Sequence, residues 1–371
     1  MERLFRFCFL LLLPLAVTSG QQTSTPQLKP RVAAPAEAPS HPAPTHPAPT
    51  VANRQITLEV QITDKSGAPV RGLQMHDFTL LDDKLPQSIL SFHAVDGSAS
   101  ASGDPPLEVI LVVDAVNAPF QAVSYERKEI RKFLLQNGGK LAQPVSLLVF
   151  ADAGNKIQGE SSRDGTALAA LYDQIETGLR SINRSQGFYG ATERFDMSLK
   201  TIHSLAAYEA TRPGRKLMIW ISPGWPLFSG PNIELTRKEG EQLFNSIVSL
   251  SNELRQSDVT LYCIDPLGLA DFGIRTSYYE EFLKGVASPQ DAQAGDLGLQ
   301  VLAVQTGGRV LNTTNDITAA ITACAADADA FYVLSFEAPR ADHADEYHSL
   351  AVTVDRPGVT ARTRTGYYAQ P

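Results

Sequence analysis

The chain has 371 residues, 43% of them hydrophobic and 19% charged, with a formal net charge of −8. That is the composition of a chain with a packed core, and the length suits one large domain with a smaller companion. The acidic balance counts against nucleic acid, whose phosphates require clustered Lys and Arg, and against an anionic membrane surface.

Residues 1–20 read as a secretory signal. Arg3 and Arg6 precede the apolar run Phe7 to Val17, and small residues end at a plausible cleavage point, Gly20. The run falls short of the roughly 20 residues needed to span a bilayer, so cleavage is favoured over an uncleaved anchor. The expected location is the periplasm or outside the cell, with no later membrane span. Residues 21–53 form a Pro/Ala-rich linker containing HPAPTHPAPT. Such a stretch cannot bury enough apolar surface to fold and favours extended polyproline II. Its His41 and His46 read as incidental.

A β module is expected over 54–98. Ile56, Leu58, Val60 and Ile62 alternate with polar residues, the mark of a half-buried strand. Phe78 and Leu80 begin a second strand, Asp82 and Asp83 turn the chain, and Ile89 to Phe92 form a third apolar run. A module of this size is marginal for a core of its own. Its partners are expected in 329–371, where Phe331 to Phe336, Leu350/Val352/Val354 and Val359/Ala361/Thr363 return to β patterning. Either the two sets build one β-sandwich, or each packs separately on the segment between them.

Across 107–328 strand and helix patterns alternate. Val109 to Val113, Val145 to Phe150, Leu217 to Ile221 and Val259 to Ile264 are continuous apolar runs, as in strands buried on both faces. Amphipathic helices are expected over Ser124–Leu135, Leu168–Leu179, Phe195–Leu205 and Leu235–Gln256, and Arg309–Leu311 reads as a short edge strand. A last helix starts at Asp316, a suitable N-cap. The fold class is therefore α/β, a doubly wound and mostly parallel sheet. Cys263 and Cys324 are either disulfide-bonded, which export permits, or two separate buried thiols.

In such a sheet ligands gather beyond the carboxyl ends of the strands, here Asp114, Ala151–Asp152, Ser222–Trp225 and Asp265. The phrases ITDKSGAPVRGLQMHDFTLLDDKLPQSILSF, ILVVDAVNA, KLMIWISPGWP, TLYCIDP, TGGRV and FYVLSFEAP, in this order, resemble the von Willebrand factor A superfamily, and more narrowly the VWFA-related proteins of acidobacterial type. The resemblance covers nearly everything from residue 54 onward. It implies a protein-binding, adhesion-type module. It also implies a metal-ion-dependent adhesion site, in which an Asp-x-Ser-x-Ser run, a Thr and a second Asp ligate Mg²⁺ through hard oxygens.

Here that first run reads Asp114, Ala115, Val116, Asn117, Ala118, and Pro223 occupies the later Asp position. Asp114, Asn117, Thr192 and Ser222 remain as a vestigial metal set. The favoured reading of Asp114 is a carboxylate that binds nearby N–H groups and shapes its loop, with no cofactor required. Phe120, Phe188, Tyr189, Trp225 and Phe228 on the same rim are candidate contacts to an unknown protein partner, or else they cap the sheet. No nucleophile elbow, zinc-protease, phosphate-loop or dinucleotide motif occurs, so an enzyme is not expected. The alternatives are a self-assembling envelope component and, behind it, a hydrolase without a recognised motif.

Overall fold

A computed structural model describes residues 54–96, 107–151, 156–157, 160–176, 187–226, 235–268 and 277–371. The expected signal and the linker lie outside them. In chain order come strands β1 (Gln55–Asp64), β2 (Phe78–Asp82), β3 (Leu85–Gln87), β4 (Ser91–Val95) and β5 (Leu107–Asp114). Helix α1 (Phe120–Leu134) leads to β6 (Lys140–Phe150), β7 (Lys156–Ile157) and β8 (Ser162–Asp164), then α2 (Gly165–Glu176) and α3 (Gly187–Glu209). After β9 (Arg215–Ile221) follow α4 (Arg237–Gln256), β10 (Val259–Ile264), α5 (Leu299–Gln305), β11 (Val310–Leu311) and α6 (Ile317–Ala325). The chain closes with β12 (Phe331–Glu337), β13 (Glu346–Val354), β14 (Val359–Arg362) and β15 (Gly366–Ala369).

The apolar runs of 107–328 become one mostly parallel sheet in the order β11-β10-β9-β5-β6-β7, with β8 also pairing β6. Strands β11, β10, β9, β5 and β6 run parallel, while the short β7 and β8 are antiparallel to β6. Because successive side chains point to opposite faces, each run supplies two cores. Ile110, Val112, Phe150, Trp220 and Cys263 pack with α3, α4 and α5. Val109, Leu111, Val113, Ile219 and Ile264 pack with α1, α2 and α6, including Cys324.

The two cysteines thus belong to cores on opposite faces, and both thiols are free. Burial pushes the Cys324 thiol up to about 12 and Cys263 well above its ordinary value, so both behave as small hydrophobes.

Helix starts follow local chemistry. Thr236 caps α4, its hydroxyl accepting from Glu239 N at 3.3 Å while the Glu239 carboxylate returns to Thr236 N at 2.8 Å. Asp316 caps α6 through Ala319 N at 2.9 Å. Helix α5 escaped the sequence reading. It is a short helix with no polar face to set a period, and Leu299, Val301, Leu302 and Ala303 are all buried.

The terminal strands pair with each other across the α/β segment. Strand β1 lies antiparallel to both β12 and β14, giving the sheet β14-β1-β12-β4, and β2 pairs β13 in the sheet β15-β13-β2-β3. The two antiparallel sheets share one core, in which Leu58, Val60, Leu80, Leu334, Phe336, Val352 and Tyr367 meet. The third apolar run is shifted from its expected place. The strand is Ser91–Val95, and Leu90 before it is 58% exposed. These sheets and the parallel sheet lie in one compact unit.

They meet at the amino ends of the parallel strands. Glu59 of β1 receives Arg215 Nε at 2.5 Å, and Arg215, itself buried, also stacks its guanidinium 4.1 Å over the Phe331 ring. The Asp327 carbonyl accepts from Arg215 at 3.0 Å and from Gln61 at 2.5 Å. Its carboxylate accepts from Tyr262 at 2.9 Å and from Arg362 of β14.

One buried carboxylate works against this stability. Asp296 is 4% exposed, and burial raises its pKa to about 6, opposed by a 2.7 Å bond from Gln293 N–H. A folded value above the ordinary 3.8 means that its contribution is complete below pH about 3.8. That contribution is lost as the pH rises through about 6, by on the order of 2–3 kcal/mol. Asp296→Asn keeps an acceptor for Gln293 and is expected to remove that slope. Urea midpoints across this pH interval check it, and an unchanged slope would refute it.

Candidate functional site

The carboxyl ends of β5, β6, β9 and β10 form the crest of the parallel sheet, opposite the end that holds the terminal strands. Asp114 is the last residue of β5 and is fully buried. Its Oδ1 accepts from Val116 N at 3.0 Å and Asn117 N at 2.8 Å. Its Oδ2 accepts from Asn117 Nδ2 at 2.9 Å, Trp220 Nε1 at 3.1 Å and Ser222 Oγ at 2.8 Å. Burial pushes the Asp114 carboxyl upward, and the bonds from Asn117, Ser222 and Trp220 oppose that shift. All five groups donate, so the ionised carboxylate is the form that satisfies them.

Neighbouring elements hold these donors in place. Asn117 Nδ2 also reaches Ser198 Oγ at 3.0 Å, tying the β5 loop to α3, and Ser198 Oγ donates to Arg194 O at 2.7 Å. Trp220 lies edge-on between Phe150 and Trp225, at 5.9 and 5.4 Å between ring centroids. After β9 the chain must turn sharply away. Gly224 has a φ of +97°, and a Cβ there would meet the Gln300 side chain at 2.2 Å. Only glycine adopts that backbone without strain, and Gln300 Nε2 secures the turn on Pro223 O at 3.2 Å.

The structure thus joins Asp114, Asn117 and Ser222. Thr192 lies half-buried on α3, upstream of Ser198, and is not among the five donors named above. The donor set does not fit an inner-sphere divalent cation. Two backbone N–H groups and an indole N–H, which can only donate, already point at the carboxylate, whereas Mg²⁺ needs acceptor oxygens in near-octahedral array.

The aromatic rim is corrected at one position. Trp225 is 4% exposed, because its ring closes the core over Trp220. Tyr189, at the crest end of α3, is 86% exposed. Phe228 lies outside the described residues, as do the side chains of Phe120 and Phe188, whose backbones begin α1 and α3.

Sequence reasoning missed Trp220 and Ser198 as members of this site. Ser198 left no signal on its helix. Trp220 did leave one, since an indole in an otherwise aliphatic buried strand needs an acceptor for its N–H.

Comparison with known proteins adds no family. No family profile matches the chain, and no curated protein matches it. Among solved structures it is similar to the pilus adhesin SpaC from Lactobacillus rhamnosus GG, in its open conformation. The identity is 10% and the TM-score 0.37, over 84% of this chain and 47% of the adhesin, so the match spans about half of that protein. It is also similar to the PilB minor pilin from Streptococcus sanguinis, at 10% identity, TM-score 0.33 and 61% of each chain. A third likeness is to the SpRpn10 VWA domain, at 14% identity and TM-score 0.21, over 43% of this chain and 75% of that domain. No described helix is long and apolar enough to cross a membrane.

Proposed function

We propose that this is an exported, non-enzymatic binding module of von Willebrand A type, with a β-sandwich built from its terminal strands. It recognises a protein partner at the crest without a metal ion. The reading is supported chiefly by the Asp114 network, in which a carboxylate at the adhesion-site position is used up in holding the crest loops together. Recognition then falls to side chains that project from the crest, and among the described side chains of the predicted rim Tyr189 is the one open to solvent. An exposed tyrosine at a helix end is a suitable anchor, since it offers a large contact area at low entropic cost.

Tyr189→Ala is therefore expected to leave the unfolding midpoint unchanged and to reduce capture of an envelope partner by about tenfold or more, the effect of losing a hot-spot residue. Quantitative affinity capture beside the unmodified protein checks this. Equal capture would remove Tyr189 from the surface. Calorimetric titration with Mg²⁺ tests the metal-free part, and saturable heat abolished by Asp114→Ala would overturn it.

One observation favours a second reading, self-assembly. Leu85 on edge strand β3 is 66% exposed, and Leu90 precedes edge strand β4 at 58%. Exposed sheet edges with apolar residues invite pairing with another copy. Light scattering separates the two readings, since only self-assembly makes the mass rise with concentration.

A further inference from the structure

At the opposite end of the molecule, where β1 meets the start of β10, a small cleft opens between the terminal strands and the parallel sheet. Arg255, from the last turn of α4, and Arg364, between β14 and β15, both line it. Two carboxylates share the lining, Glu59 and Asp258. Glu59 is already engaged by Arg215 at 2.5 Å and by the Thr260 hydroxyl at 3.3 Å. Asp258 is exposed on the turn between α4 and β10, at a φ of +52°. Among the described residues no carboxylate lies within ion-pairing distance of Arg255 or Arg364, and Arg255 Nε is enclosed without an acceptor. Two guanidiniums in one cleft thus face a single exposed carboxylate.

That arrangement is costly as it stands. Both arginines are half-buried, a cation partly removed from water gains from a counter-charge and hydrogen-bond acceptors, and two like charges in one cleft repel. Burial and the neighbouring Arg255 lower the Arg364 pKa to about 10, against the opposing pull of Glu59 and Asp258. The structure provides two cations with forked donors on one opening, with Glu59 already engaged by Arg215 and Arg255 Nε left without an acceptor.

We infer that this cleft is a binding site for a compact oxyanion, a carboxylate or a phosphate, clamped between Arg255 and Arg364. The planar guanidinium presents paired N–H donors matched to either group, and the Thr57 hydroxyl lines the same cleft. Arg364 also borders a second small cleft lined in part by Leu254, Leu302 and Tyr368. Because the clamp joins α4 to the terminal strands, an anion seated there ties the two sheet systems together. It does so far from the crest, so its presence does not depend on the binding surface proposed above.

The test is calorimetry on the full chain at constant ionic strength, with chloride as the background anion. Inorganic phosphate and acetate are titrated in separate arms. Saturable binding with one site per chain is expected in at least one arm, and the arm with the higher affinity identifies the source as phosphate-bearing or carboxylate-bearing. Arg364→Gln and Arg255→Gln are each expected to weaken it by about 10–100-fold, the range for losing charge-assisted hydrogen bonds. Asp258→Asn, which removes the opposing carboxylate, is expected to tighten it several-fold, a gain that general loosening of the fold cannot produce. Should the arginine variants fail to fold, phenylglyoxal labelling of the unmodified protein serves instead, with phosphate or acetate expected to protect both arginines. Absence of saturable heat in both arms, affinity indifferent to all three substitutions, or labelling indifferent to anions would each overturn the site.

Discussion

Replacing Asp114 by alanine is expected to destabilise the protein by about 3–5 kcal/mol, the range for breaking a buried, charge-assisted network. The substitution strands five donors at once, namely the N–H groups of Val116 and Asn117, the Asn117 amide, the Trp220 indole and the Ser222 hydroxyl. The indole and the Ser222 hydroxyl are fully buried, so water cannot replace the lost acceptor without opening the crest. Asp114→Asn should also be strongly destabilising, because both carboxylate oxygens accept and an amide must turn its own N–H₂ toward one set of donors. Denaturant unfolding of the two variants checks this, together with the near-ultraviolet signal of Trp220 and Trp225. A loss below about 1 kcal/mol, the net value of a single ordinary hydrogen bond, would mean that the crest does not depend on this carboxylate. A carboxylate serving mainly as a metal ligand would give a different pattern, with little loss until the ion is supplied.

Asp327→Ala should have an effect of similar size at the other end of the molecule, again about 3–5 kcal/mol. Asp327 is 3% exposed and its carboxylate stands among Arg362, Arg309 and the Tyr262 hydroxyl, the last two at 3.6 and 2.9 Å. Its removal leaves a buried phenol without its acceptor and the Arg362 cation without its carboxylate, with only Gly307 O still accepting from Arg362 Nε at 2.7 Å, while the bonds to the Asp327 carbonyl from Gln61 and Arg215 are retained. Arg362 belongs to β14 and Tyr262 to β10, so the loss falls on the joint between the terminal strands and the parallel sheet. Calorimetric melting is expected to broaden or split as that joint weakens. Combining Asp327→Ala with Arg362→Met should recover part of the loss, since an apolar side chain in place of an unpaired charge needs no acceptor. A variant that melts at the unmodified temperature in one sharp transition would show that apolar packing alone holds the joint.

These two carboxylates illustrate how far the sequence could be read. Asp114 was legible because it ends an unbroken apolar run, and the crest of a parallel sheet lies where such runs stop. Asp327 was not, because it sits in an unremarkable AADADA stretch and its partners come from β1, β9, β10, β14 and the residue before β11, far apart in sequence. Trp225 and Tyr189 show the same limit for the rim. Both looked exposed as aromatics in loops next to glycine or proline, yet one closes the core over Trp220 and the other stands in solvent.

Periodicity and composition by themselves determined the longer strands and helices, their order and the alternation that makes an α/β layer, because burial on one face or two imprints a period on neighbouring residues. They also showed that the strands of 54–98 were too few to stand alone. Only the tertiary structure decided that β1 lies between β12 and β14, that Cys263 and Cys324 serve opposite cores, that Asp114 is filled by protein donors, and that Arg255 and Arg364 share a cleft. Each of these depends on which side chains meet across long stretches of chain, and a contact between distant residues leaves no periodic trace in the sequence around either one.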